Sequence, residues 1–338
     1  MIVEERGVDQ TGTPLYLVEL IDGPDAGERI EAAWQDASAA ASGTTTLAPY
    51  AAGDEVVVSR FTGPAGGFAV IAEPWRVPLL GLLAGIFAAA VLVVGGLRGL
   101  RALVALALTL AVIVKLVIPL LLNGWDPVLL AVGVGAAVTV VTLAVTEGAS
   151  RVTVAAALGT FGALALTAAL AAAFNAAAAF TALRGNEEIG FLIPLIGDRA
   201  DLQGILLAAT VFGALGVLDD MSVTQAAAVE QLHAAEPSGP RRTVIGRAMR
   251  VGRSHIAATV NTLMLAYLGA GLPLLLLFSL SGQGPLMVLN GELLAVEVIR
   301  ALVGSVGIVA AVPLTTLVAA FLIVPRTAGA RPVTPVGA

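Results

Sequence analysis

Seven apolar runs of about twenty residues or more dominate the chain, near 78–97, 102–122, 127–146, 152–180, 202–221, 254–280 and 293–325. At 1.5 Å of rise per residue, about 20 residues cross roughly 30 Å of hydrocarbon, so each run predicts a membrane-spanning helix. The polar connections carry the orientation. Arg98 and Arg101 follow the first run, Arg151 the third, Arg241, Arg242, Arg247, Arg250 and Arg253 the fifth, and Arg326 the seventh. All lie on one side, which the positive-inside rule assigns to the cytoplasm. Residues 1–76 and the loops at Asn123, Arg184 to Arg199 and Ser281 to Glu292 then face outward. The chain opens Met-Ile-Val-Glu-Glu-Arg, with no apolar segment, so export of residues 1–76 predicts a further helix ahead of them, eight in the full-length protein.

Ahead of the first run the pattern shortens to a two-residue period. Tyr16–Ile21, Glu55–Phe61 and Phe68–Ala72 read as strands, Asp22–Gly27 as a turn, and the Ala/Ser/Thr/Gly stretch 37–46 as a loop. The fold class is therefore an all-α polytopic membrane helix bundle carrying a small N-terminal extracytoplasmic β domain, a sheet or barrel. Its divisions are 1–76 for the β domain, 77–326 for the helices and 327–338 for a cytoplasmic, disordered Pro/Gly/Thr tail. Asp22, Asp25 and Asp54 are oxygen donors that could hold calcium, but beside glycine such residues more often stabilise the turn itself.

Composition agrees with the pattern: 58% apolar residues, 12% charged and a mean hydropathy of +0.94, where soluble domains carry about 25% charged residues. Charge sharpens the boundary near Arg76, because residues 1–76 hold twelve acids and four arginines, net -8, while the remainder is net +2. Cysteine is absent, which removes disulfides, thiolate metal sites and cysteine nucleophiles. No Gly-Lys pair provides a phosphate loop, and His233 and His255 are not one helical turn apart as a zinc protease requires. No enzymatic activity is expected. The five arginines from Arg241 to Arg253, beside a membrane, fit anionic lipid rather than nucleic acid.

The strongest chemical feature lies where the fifth run ends, at Asp219-Asp220-Met-Ser222-Val-Thr224-Gln225. The clean apolar core from Ile205 to Leu218 is only fourteen residues, so a spanning helix must draw in one or both aspartates, and carboxylates at that depth are costly and usually functional. The simpler reading is that they cap an interfacial helix. On a helix Asp220 and Thr224 share a stripe and Asp219 lies about 100° away, so the pair diverges and does not form an aspartic-protease dyad. Carboxylates, hydroxyls and an amide suit a proton, Na⁺ or Mg²⁺ and not soft metals. No resident cofactor is expected beyond such a coupling ion.

Other polar residues stand inside apolar runs: Lys115, the sole lysine, Asn175 and Asn261. Lys115 can snorkel toward Asn123, and the amides can hydrogen-bond between helices. Glu297 and Arg300, three apart, can neutralise one another on one helix face. Glycines recur at close spacing, among them Gly159 with Gly162 and Gly304 with Gly307, and let helix backbones approach.

Leu215 to Leu232, the run Ile245 to Gly269 with its Asn261-Thr262-Leu-Met-Leu-Ala266-Tyr267 element, Asn290-Gly-Glu292 and Ala311-Val-Pro313-Leu-Thr315-Thr316 together resemble the YibE/F-like bacterial membrane proteins. The outer pattern Gly23-x-x-x-Gly27 with Gly53-Asp54 resembles their soluble domain. The resemblance implies an inner-membrane protein of loosely transport-like character, and a second wall at Asn261 and Thr262 facing the aspartate helix. The expectation is an inner-membrane permease linked to a proton or cation, its site formed by Asp219 or Asp220 with Ser222, Thr224, Gln225, Asn261 and Thr262, neutralised or gated by Glu297 and Arg300. The alternative is a non-transporting scaffold or regulator that binds a partner or envelope component through its outer domain. The partners expected are the lipid bilayer, anionic lipid at Arg241 to Arg253 and further copies of the chain in a homo-oligomer.

Overall fold

The computed structural model describes residues 1–8, 13–34, 50–63, 66–181, 201–280 and 282–325. The chain divides into two compact units, Met1–Val94 and Gly95–Ala338. The expected loop at 37–46, the outer loop from Arg184 to Arg199, Arg326 and the tail 327–338 lie outside the described residues.

The first unit holds a five-stranded sheet: β1 (Ile2–Val8), β2 (Pro14–Glu19), β3 (Arg29–Trp34), β4 (Val56–Gly63) and β5 (Gly66–Pro74), in spatial order β1-β2-β3-β5-β4. The β3–β5 pairing is parallel and the others are antiparallel. Alternation along β2 turns Tyr16 and Val18 inward, where they meet Ile2, Ala32, Trp34 and Ile71. Strands β1 and β3 were not expected: the charges of Glu4, Glu5 and Arg6 and the brevity of Arg29–Trp34 hide their inward residues. The turn at 22–27 forms as expected. Asp22 accepts from the Gly23 amide at 2.8 Å, Asp54 accepts from the Ala51 amide at 2.9 Å, and Asp25 pairs with Arg60 at 2.7 Å.

Helix α1 (Val77–Val112) continues through a π turn, Ile113–Val117, into α2 (Ile118–Leu122). The expected spans 78–97 and 102–122 both lie in this 46-residue stretch. It breaks at Gly96, whose φ of 55° and ψ of -133° are open to glycine at little cost, just ahead of Arg98. The π turn precedes Pro119, whose ring clashes with the carbonyl four residues back, and Ile118 instead donates to Ile113.

The remaining helices are α3 (Pro127–Thr146), α4 (Arg151–Ala178), α5 (Leu202–Ala235), α6 (Arg241–Ala270), α7 (Leu272–Leu280), α8 (Pro285–Asn290) and α9 (Glu292–Ile323). Among the described residues, five helical segments are long and apolar enough to cross a membrane, and six if α6 and α7 form one span bent by 57°. Pro273, second in α7, lacks the N–H that would extend α6 and so accounts for the bend. Sequence sets the ends sharply: Asp126 caps α3 by accepting from Val128 and Leu129 at 2.9 and 2.8 Å, with Pro127 in the first turn.

Helices α4, α5 and α9 pack on one another at the centre, α3 lies against α4 and α5, and α6 against α5 and α9. Alanine-rich α4 is central because Ala155, Ala156, Ala163 and Ala171 let its neighbours come close. Gly159 and Gly307 serve the same purpose: a Cβ at Gly159 would run into Thr315 of α9, and one at Gly307 into Thr167 of α4.

Candidate functional site

The site is built on α5, whose 34 residues extend about 51 Å, well beyond the hydrocarbon thickness. No proline interrupts it, and the Ala226-Ala-Ala228 run favours helix past the aspartates. The five polar residues expected there divide between two faces. Asp219, Ser222 and Gln225 follow at i, i+3 and i+6 and form one ridge directed into the bundle, Ser222 and Gln225 fully buried and Asp219 partly so. Asp220 and Thr224, one turn apart, are exposed on another face.

Each step of the ridge meets a different neighbour. Gln225 uses both amide N–H groups, one to Thr316 Oγ1 on α9 at 2.6 Å and one to the Ala248 carbonyl on α6 at 2.9 Å. Thr316 passes its own hydrogen to the Val312 carbonyl at 2.7 Å. Ser222 accepts from Thr315 at 3.2 Å. Asp219 accepts from Thr139 on α3, whose Oγ1 lies 3.1 Å from one carboxylate oxygen and 3.2 Å from the other. Thr160 of α4 is fully buried, and its hydroxyl lies beside the same carboxylate, within hydrogen-bonding reach. No cationic side chain pairs with Asp219 among the described residues. The ridge thus ends in an amide bonded to two helices at Gln225 and in a carboxylate met by hydroxyls at Asp219.

The structure does not bring the other expected members to this point. Asn261 and Thr262 are exposed on α6, and Thr262 returns its hydroxyl hydrogen to the Ala258 carbonyl at 3.0 Å. The α6 residue that meets the aspartate helix is Thr259, whose hydroxyl donates to Met221 Sδ at 3.5 Å. Asn261 lies two residues on, about 200° further round the helix, and so faces away. Glu297 and Arg300 pair at 2.6 Å, but Arg300 stands fifteen residues before Thr315 on α9, about 22 Å along the axis. They form a structural pair at the far end of the bundle and do not neutralise Asp219. Lys115 is exposed on the π turn, and Asn175 lines a separate hollow of about 210 Å³ with Asp201 and Gln203. A groove of about 1060 Å³ along α3, α4 and Phe321 also stays clear of Asp219.

The connection between α5 and α6 shrinks to 236–240, because both helices extend beyond the expected spans and carry His233 and His255 within them. Arg241 bonds the Val324 carbonyl at the end of α9 and lies over the Phe321 ring, 4.9 Å from its centroid. Arg247 pairs with Glu236 at 2.5 Å. Arg242, Arg250 and Arg253 remain exposed.

Thr139 and Thr160 escaped the sequence reading because a threonine in a spanning helix ordinarily bonds its own helix, as Thr142, Thr167 and Thr210 do here. The available signal was their place in apolar runs beside glycine, at Gly159-Thr160, and small residues elsewhere.

No curated protein and no solved structure matches the chain. The family of YibE/F-like proteins matches it over residues 83–325, which takes in the whole polar ridge and every partner named for it. The chain therefore belongs to the YibE/F-like family, as its Asn261-to-Tyr267 and Asp219-to-Ser222 elements foreshadowed.

Proposed function

We propose that this protein is an ion-linked permease of the bacterial inner membrane whose coupling ion, a proton or a metal cation, binds at Asp219. One observation carries the reading: a carboxylate within the α3, α4 and α5 packing is met by hydroxyls and, among the described residues, by no cation. An uncompensated charge there is expensive, so a mobile positive ion is the natural counter-charge. Asp220, exposed one position on, serves solubility of the inner helix end. In this reading the break at Gly96 separates two spans and the bent α6–α7 pair is one, which gives seven, with residues 1–76 outside and the C-terminus in the cytoplasm. Exposed Arg242, Arg250 and Arg253 then lie at the inner surface and attract anionic headgroups.

A second reading has its own observation. Phe61 and Phe68 stack at 5.1 Å on the sheet and are 51% and 59% exposed, an apolar surface suited to a partner of the outer domain. There the bundle is an anchor and Asp219 a structural residue. Reconstituted vesicles separate the two: with a pH-sensitive dye and a Na⁺-sensitive dye inside, the permease reading predicts proton or Na⁺ flux above that of protein-free vesicles. Flux equal to the protein-free control under every gradient favours the anchor.

A further inference from the structure

We propose that the groove between α3, α4 and the end of α9 binds one anionic phospholipid, its acyl chain along the apolar walls and its phosphate at Arg151. The groove, of about 1060 Å³, lies at the upper end of the range for small-molecule pockets, roughly 300–1,000 Å³. Its walls are Val140 and Leu143 of α3, Leu158 and Phe161 of α4, and Phe321 and Leu322 of α9. Val140, Leu158 and Phe321 stay 50%, 48% and 62% exposed, so nothing among the described residues covers them. Length points to the occupant. From Arg151 to Phe161 the α4 wall runs ten residues, about 15 Å, or half of the roughly 30 Å hydrocarbon core. A docked helix would track a span over its whole length, whereas an acyl chain stops at the middle of the bilayer.

Charge selects the headgroup. The polar residues Ser150, Arg151 and Thr153 gather at one end of the groove, and its lining holds no aspartate or glutamate. Arg151 is exposed and makes no ion pair among the described residues. Glu147, exposed at the end of α3, is not part of the lining. A second guanidinium stands by: Arg241 lies over the Phe321 ring, 4.9 Å from its centroid, and keeps one Nη group after bonding the Val324 carbonyl through Nε and the other. Ser150 and Thr153 are occupied with each other at 2.9 Å, so the head is read by charge rather than by a hydroxyl network. Basic residues over an apolar slot between helices favour a head of net negative charge, because a zwitterionic head brings a cation of its own. An arginine on a convex helix face exchanges among many headgroups, but Arg151 stands at the rim of a concavity that retains the chain below it. Under the topology proposed above, the lipid belongs to the cytoplasmic leaflet.

The test is native mass spectrometry of the full chain in detergent, titrated with phosphatidylglycerol or phosphatidylcholine. Wild type is expected to bind one phosphatidylglycerol saturably, in preference to phosphatidylcholine, and inorganic phosphate should not displace it. Arg151→Gln should weaken phosphatidylglycerol about fivefold, the effect of one basic residue on anionic lipid, and remove the preference. Ala157→Leu fills the groove, which Ala157 lines, and should weaken both lipids. Arg98→Gln, at an exposed arginine outside the lining, should change neither, and a monodisperse elution profile verifies folding of each variant. Equal binding of both lipids to wild type, displacement by inorganic phosphate, unchanged binding in Arg151→Gln or Ala157→Leu, or equal loss in Arg98→Gln overturns the proposal. A dimer in lipid-free detergent that Ala157→Leu abolishes assigns the groove to a second copy and overturns it as well. None of these outcomes is read through ion flux, so failure here leaves the permease reading where it stands.

Discussion

The sheet of the first unit and the helix bundle of the second handle polarity in opposite ways. In the sheet, charge is abundant and paired at the surface: Arg60 reaches Asp25 at 2.7 Å and Glu28 at 2.8 Å, Arg29 reaches Glu19 at 3.0 Å, and all five side chains are substantially exposed. Its interior is aromatic, with Tyr16 and Trp34 each set edge-on to Tyr50 at about 6 Å. In the bundle, charge keeps to exposed or half-buried positions and the interior is built from alanine, glycine, larger aliphatics and hydroxyls, with Thr139, Thr160, Thr315, Thr316 and Ser222 all fully buried. Water makes a surface charge cheap, whereas the bundle must answer each polar atom from within. A lone carboxylate is therefore unremarkable in one unit and informative in the other.

The largest effect should come from the aromatic core. Tyr16→Ala is expected to cost the sheet about 3–5 kcal/mol, as for other large buried rings, read as early loss of Trp34 fluorescence on denaturant titration of the full chain. Burial pushes the Tyr16 and Tyr50 phenols above their ordinary range near 10. Unfolded tyrosines ionise first, so the folded sheet binds more protons and loses stability as pH rises past about 10. Acidification to pH 7 should leave that contribution unchanged.

The bundle should fail by crowding rather than by lost area. Gly159→Ala places a methyl group against Thr315, and is expected to cost about 1–3 kcal/mol in a thermal aggregation assay, with the sheet signal unaffected. The same change at Gly81, which has open space around it, should be silent. Smallest of all, Arg60→Gln removes two exposed ion pairs and should shift the sheet midpoint by no more than the scatter between replicate melts. A large shift there would erase the contrast between the two units.

Much of the helical layout was legible because apolar length and capping chemistry are local. The span 127–146 coincides with α3, since Asp126 and Pro127 open it and Glu147-Gly148 close it. The span expected over 202–221 runs on to Ala235 because polar, alanine-rich sequence can still be helix once it leaves hydrocarbon. The site was half legible. Adjacency identified both aspartates, and helical geometry put them on different faces, but only packing decides which face is inside. The buried arc of α5, marked by Leu215, Leu218, Ser222 and Ala226, reaches Asp219 and stops short of Asp220. Its partners Thr139 and Thr160 lie about 80 and 60 residues away in sequence, and such pairings are set by tertiary contact rather than by local pattern. Asn261 was drawn in by its motif, while α6 presents Thr259 to α5 instead.

The permease reading assigns the function to one of two neighbouring carboxylates, Asp219, and not to the other, Asp220. Its most direct test is ion flux in reconstituted vesicles for wild type, Asp219→Asn and Asp220→Asn, at matched protein density. Asp219→Asn should reduce flux to the protein-free level while Asp220→Asn retains at least half of the wild-type rate. Equal loss in both variants, or full flux with Asp219→Asn, would contradict it.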